Sequence, residues 1–165
     1  MPFITEASFL FMYSKACKSW IALVFFAVFF TYSTEAKDAV VTHHYVNNKG
    51  VKIHYTRAGQ SGPLVVMIHG FPDFWYSWND QIMALKTNHR VVAMDLRGYN
   101  RSDKPKGVNH YSIPKLVSDV EAVILAVGEK KAVIVGHDWG GMLAWNFAMM
   151  RSDMTDKLIV LNLPH

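Results

Sequence analysis

From Lys37 onward, short apolar runs alternate with helical patterns. Val51 to Tyr55 (VKIHY) alternates apolar and polar positions, the period of a half-buried strand. Leu64 to Ile68 (LVVMI) and Ala132 to Val135 (AVIV) are unbroken apolar runs, as strands covered on both faces require. Arg90 to Met94 and Leu158 to Leu161 have the same character. Between them the spacing predicts a helix from Ser112 to Val127. Ser112 would cap it, Pro114 sits in its first turn, and Gly128 ends it. Leu116, Val117, Val120, Val123, Ile124 and Val127 form one apolar stripe along it. A second helix is expected after Gly140 through MLAWNFAMM, apolar on nearly every side and therefore expected to be buried. Strands alternating with helices in this way predict an α/β domain, with a mostly parallel sheet and helices on both faces. Ligands of such sheets bind beyond the carboxyl ends of the strands. The chemistry is thus expected just after Ile68, Met94, Val135 and Leu161. There is no internal repeat and no low-complexity stretch.

The N-terminal segment has a different pattern. Trp20 to Phe30 (WIALVFFAVFF) is wholly apolar, preceded by Lys15 and Lys18 and followed by the polar TYSTEA, in which Thr34 and Ala36 suit a cleavage site. This is the order of a secretory signal, and a start at Met12 would give it ordinary proportions. Crossing a bilayer takes about 20 apolar residues, more than this run holds. Residues 1–36 are therefore expected to be a signal peptide cleaved after Ala36. An uncleaved membrane anchor acting through residues 20–32 is the alternative. The mature protein is expected to be exported, with one domain over residues 40–165.

Composition narrows the chemistry. The chain has 165 residues, 51% of them hydrophobic, which suits one folded domain and not a disordered chain. Its net charge of +4 is spread along the sequence and offers no basic patch for nucleic acid. The one cysteine, Cys17, lies in the leader, so a mature chain would have no thiol nucleophile, Cys-bound zinc or disulfide.

The strongest motif is Gly136-His137-Asp138-Trp139-Gly140-Gly141, set between an apolar strand and an apolar helix. A sharp strand-to-helix turn lifts its central residue above the sheet, and small residues two before and two after it relieve the crowding. Gly136 and Gly140 occupy those places, and the centre, where serine is usual, is Asp138. A carboxylate attacking an ester would give an anhydride. Attacking a strained or activated alkyl carbon, it gives an alkyl ester that water can hydrolyse. That second step passes through an oxyanion and needs donors to hold it. The Trp139 amide is the first candidate, and the Phe71 amide, in His69-Gly70-Phe71-Pro72 after the Leu64 strand, is the second. Pro72 restricts that loop and can take a cis bond. His69 is read as tethering the loop, and His137 as pointing away by strand alternation, so neither is assigned as a base. The glycines do not fit a dinucleotide loop, and Asp138 would repel phosphate. His43, His44 and His54 lie on strand-like segments without metal-ligand spacing and read as ordinary surface or sheet residues. No metal and no cofactor is expected.

Four stretches together resemble the epoxide hydrolases of the α/β-hydrolase fold: HGFPDFWYSW from His69, DLRGYNRSDKP from Asp95, GHDWGGMLAW from Gly136 and KLIVLNLPH from Lys157. The resemblance runs from about Val40 to the C-terminus. It implies Asp138 as nucleophile, the Phe71 and Trp139 amides as oxyanion hole, and Trp75, Trp139 and Phe71 lining a pocket for a small-molecule epoxide. His69, Gly70, Pro72, Gly136, Gly140 and Gly141 would support the loops, and the Asp95 loop would brace the turn. Asn100 stands where the family usually has Gly, a mild departure because Asn tolerates a left-handed backbone. Haloalkane and haloacetate dehalogenases, with the same Asp nucleophile, are the alternative within the fold. They differ at Phe71 or at Trp139. In the family, a cap domain with two tyrosines, two further strands, the catalytic His and its acid follow the stretch matched by Pro164-His165. On that resemblance the chain is the N-terminal half of the core sheet, ends before the cap, is marginally stable and prone to associate, and is inactive alone. A non-catalytic remnant is the alternative from another class.

Overall fold

A computed structural model describes residues 41–163, which lie within one unit spanning Val40–His165. Residues 1–40, with Cys17, the segment 20–32 and the expected signal peptide, and the final residues 164 and 165 lie outside the described residues. Six strands form one sheet: β1 (Thr42–Asn48), β2 (Val51–Ala58), β3 (Leu64–Ile68), β4 (Arg90–Met94), β5 (Ala132–His137) and β6 (Thr155–Leu161). Their spatial order is β1-β2-β4-β3-β5-β6. β1 pairs antiparallel with β2, and β2 antiparallel with β4, while β4, β3, β5 and β6 run parallel. Three helices connect the strands: α1 (Asn79–Leu85), α2 (Ile113–Ala126) and α3 (Trp139–Met150).

Alternation along the central strands divides the core into two layers. Leu64, Val66 and Ile68 of β3, with Val92 and Met94 of β4 and Ile134 of β5, face the α2–α3 side. There they meet Val120, Val123 and Ile124 of α2 and Leu143, Ala144 and Phe147 of α3. Val65, Met67, Val91, Ala93 and Val135 point the other way, toward Ile82 of α1 and Trp75 and Trp78 just before it. This is why LVVMI reads as an unbroken apolar run: both of its faces are covered.

The predicted helix at Ser112 forms over Ile113–Ala126, and its stripe is buried through Val117, Val120, Val123 and Ile124. Ser112 occupies the cap position, but its side chain makes no capping hydrogen bond. Asp119 is also buried on that face. It pairs with Arg97 Nε and Nη2, each at 2.6 Å, and accepts from Asn48 Nδ2 at 2.7 Å. The expectation for α3 needs correcting. Only one of its faces is buried, through Gly140, Gly141, Leu143, Ala144 and Phe147, while Met149 and Met150 are exposed. The sheet and α2 cover one side of α3, and no described element covers the other. β6 is an edge of the described sheet, with Ile159 and Leu161 exposed. Among the described residues no helix is long and apolar enough to cross a membrane.

Candidate active site

β5 delivers the chain into a corner at Asp138, and α3 begins at the next residue. Asp138 has φ 53° and ψ −124°, a conformation that residues with a Cβ rarely adopt. Hydrogen bonds hold it there. The Asp138 N–H donates to the Leu161 carbonyl at 3.2 Å, and the Asp138 carbonyl accepts from the Gly141 and Met142 amides at 2.8 and 3.2 Å. The two flanking glycines are needed for close approach. A Cβ on Gly136 would stand 2.2 Å from the Gly140 carbonyl oxygen, and one on Gly140 would stand 2.2 Å from that of Ile68. Gly141 packs against Val160, which a Cβ would meet at 2.9 Å. So the spacing of small residues read from the sequence is imposed by backbone crossing backbone.

The loop after β3 closes over this corner. A Cβ on Gly70 would lie 2.6 Å from both the Cβ and Oδ1 of Asp138, so only glycine lets the loop pass. The next amide, Phe71 N–H, donates to Asp138 Oδ1 at 3.0 Å. The Phe71–Pro72 peptide is cis. The Phe71 and Trp139 amides together hold the Asp138 carboxyl below its usual range, against a small opposing push from burial. The start of α3 adds its dipole in the same sense. The site therefore presents an ionised carboxylate with one oxygen already held by a backbone donor.

His69 is fully buried behind the loop. Its Nδ1 donates to the Gly70 carbonyl at 2.8 Å, and its Nε2 accepts the Leu96 N–H at 3.0 Å. Accepting that amide requires the neutral ring, and burial lowers the imidazole pKa accordingly. His137 turns aside: its Nε2 lies 3.2 Å from Asn162 Nδ2, and its side chain lines a cavity on the α1 side with Asp73, Trp78 and Leu161. Trp139 faces the other way. It is 56% exposed and lines a largely apolar cavity of about 300 Å³ with Leu96, Tyr99, Tyr111, Met142 and Leu143.

Phe71 is 65% exposed beside the carboxylate that its amide holds. Trp75 lies elsewhere. It is 9% exposed, packed in the core layer on the α1 side with its ring edge-on to His43, and lines neither of these cavities. Its contribution to the site comes through its backbone N–H, which donates to Asp95 Oδ1 at 2.9 Å. Asp95, at the end of β4, is fully buried. Burial raises its pKa, but donors from His54, Trp75 and Arg101 outweigh that and hold the carboxyl below its usual range. Asn100 also donates to it at 2.9 Å and adopts φ 39°, the left-handed backbone that Gly would take there. His54 is on a strand as read but is fully buried and bonded to Asp95. Met142 lies one helical turn beyond Trp139, a spacing that places it beside the same cavity.

A family profile described as "alpha/beta hydrolase fold" matches residues 63–165. The chain is 47% identical over 127 residues to Epoxide hydrolase 4 of Mus musculus, covering 75% of this chain and 35% of that protein. It is 49% identical over 121 residues to Epoxide hydrolase 1 of Caenorhabditis elegans, covering 73% of this chain and 30% of that one. Among solved structures, an epoxide hydrolase from Vigna radiata superposes with a TM-score of 0.73 at 37% identity, covering 76% of this chain and 41% of that one. The chain thus spans about a third of the length of these curated relatives. Matched over well more than half its length by the profile, with the mixed sheet and glycine-flanked corner to go with it, the chain belongs to the alpha/beta hydrolase fold family.

Proposed function

We propose that the protein acts on small-molecule epoxides through Asp138, as the names of its relatives suggest. One observation carries the reading: Asp138 sits in a strained, glycine-flanked corner with Oδ1 held by the Phe71 amide at 3.0 Å. The free oxygen attacks an epoxide carbon. A C–O bond to Asp138 forms, the ring C–O bond breaks, and the alkoxide takes a proton from solvent water to become the neighbouring hydroxyl. Hydrolysis then adds water to the ester carbonyl, and the oxyanion forms on the oxygen already facing the Phe71 and Trp139 amides. No cofactor enters either step. Trp139 and the apolar cavity beside it suit a hydrocarbon substituent on the epoxide.

Water activation needs a base, and neither histidine nearest Asp138 in sequence or loop supplies one. Both ring nitrogens of His69 are engaged, and His137 turns to Asn162. With neither placed to activate water, the alkyl ester is expected to accumulate. Incubation with an aryl epoxide such as styrene oxide should add one substrate mass to the protein, mapped to Asp138 by peptide mass spectrometry. Asp138→Asn should abolish the adduct. An adduct at another residue, or one that persists in Asp138→Asn, would overturn the assignment. A haloalkane run in parallel tests the dehalogenase alternative by halide release. Export is proposed on the leader alone, and a mature N-terminus beginning just after Ala36 would establish it.

A further inference from the structure

The Phe71 amide sits on a stretch of loop whose apolar side chains do not anchor it, since Phe71 is 65% exposed and Phe74 38%. Hydrogen bonds at the two ends of the loop fix it instead. At the start, His69 Nδ1 holds the Gly70 carbonyl. At the far end, Trp75 N–H is held by Asp95 Oδ1. The other oxygen of Asp95 accepts from Asn100 Nδ2, from the Arg101 amide and, most closely, from His54 Nδ1 at 2.6 Å. His54 and Asp95 are both fully buried. The remaining ring nitrogen of His54, Nε2, lies 2.9 Å from Nδ1 of His43. Without His54, a buried carboxylate would lose its shortest donor and the rotation that aims Oδ1 at Trp75.

We infer that His54 is a positioning residue: through Asp95 and the Trp75 amide it sets where the loop presents Phe71 N–H to Asp138. Its catalytic consequence rests on the proposed role of Asp138, but its structural consequence does not. His54 is three strands of sequence away from the corner, and it reaches the loop through the Asp95 carboxylate and through His43, whose ring stacks on His54 and meets Trp75 edge-on. Asp95 has two oxygens with separate duties, one toward β2 and the other toward the loop.

The test uses the full chain and two readouts, hydrogen exchange of peptides covering 69–78 and the single-turnover rate of ester formation at Asp138. His54→Leu removes the donor. His54→Asn places an amide N–H near the position of Nδ1, whereas His54→Gln carries it one carbon too far. In His54→Leu, exchange in 69–78 should rise about tenfold while peptides of β3 and β4 stay protected. Ester formation should slow about tenfold, less than the roughly 10²-fold that a full 1 Å misplacement of a reacting group costs, with little change in the half-saturating epoxide concentration. His54→Asn should restore most of both, and His54→Gln should not. Unchanged exchange in 69–78, a uniform rise across β3, β4 and the loop, or equal behaviour of Asn and Gln would each overturn the inference. If His54→Leu does not fold, the Asn–Gln comparison decides alone. Should the native chain form no ester, the proposed function fails while the exchange measurements still decide the role of His54.

Discussion

Two backbone amides hold the Asp138 carboxyl below its usual range, and this sets its response to acid. The reactive form is the carboxylate, and a lowered pKa keeps it populated below the usual value of about 3.9. Ester formation in single turnover should therefore stay level from neutral pH down to about 4 and decline only below that. A midpoint near 6 would instead report an imidazole. Gly70→Ala is the sharpest probe of the cradle, because its new methyl would overlap Asp138 Oδ1 at 2.6 Å. It should push the Phe71 amide away and shift the carboxylate from its line of attack, slowing ester formation by roughly 10²-fold, as a misplacement of about 1 Å does. Circular dichroism should show the strands retained. At this scale the sequence was informative wherever backbone crowding dictates residue type, as at Gly136, Asp138 and Gly140. It was silent at His54 and Trp75. A histidine on a strand looks the same whether it meets water or a buried carboxylate, and Trp75 contributes an amide that every residue but proline has.

Among the elements, β3 and β4 were legible to their ends because parallel strands covered on both faces leave an unbroken apolar run. α2 was legible because its stripe is one-sided. α1 was missed, since its seven residues bury Ile82 alone and carry too little period to detect. α3 misled in the other direction. Its apolar surface continues round to Met149 and Met150, which nothing among the described residues covers. The Arg97–Asp119 pair shows what pattern reading overlooks within an element that it otherwise finds. Asp119 lies on the buried stripe of α2 and ties it to the loop after β4 and, through Asn48, to the end of β1. Arg97→Met alone would strand a buried carboxylate and should cost about 3–5 kcal/mol. The double variant Arg97→Met/Asp119→Leu should recover most of that. Urea unfolding of the two variants and the native chain measures the difference.

For the whole molecule, two buried groups make the fold sensitive to acid. Burial lowers the pKa of His69 from its usual 6.5, against the Gly70 carbonyl and the charges of Asp95 and Asp73. Its neutral form is favoured in the folded state, so its contribution is complete above about pH 6.5 and is lost as pH falls toward the folded value. Asp95 is lowered as well, so its contribution is complete above about pH 4 and is lost below. The midpoint of thermal unfolding should thus be level above about pH 7, fall in one stage below 6.5 and in another below 4. His69→Gln should shrink the first stage, to which His43 and His44 with their lowered pKa also contribute, and leave the second.

The amide of Phe71 bonds to only one of the two oxygens of Asp138. The carboxylate is then no longer a symmetric reagent. Its reactive lone pairs open along a single line of approach, and an oxirane must present the rear of one carbon to that line. Left- and right-handed forms of the same oxirane would arrive with their substituents on opposite sides, one toward Trp139 and the other toward solvent. Chirality would be sorted by the corner itself, and a racemate given to the protein should leave one enantiomer behind.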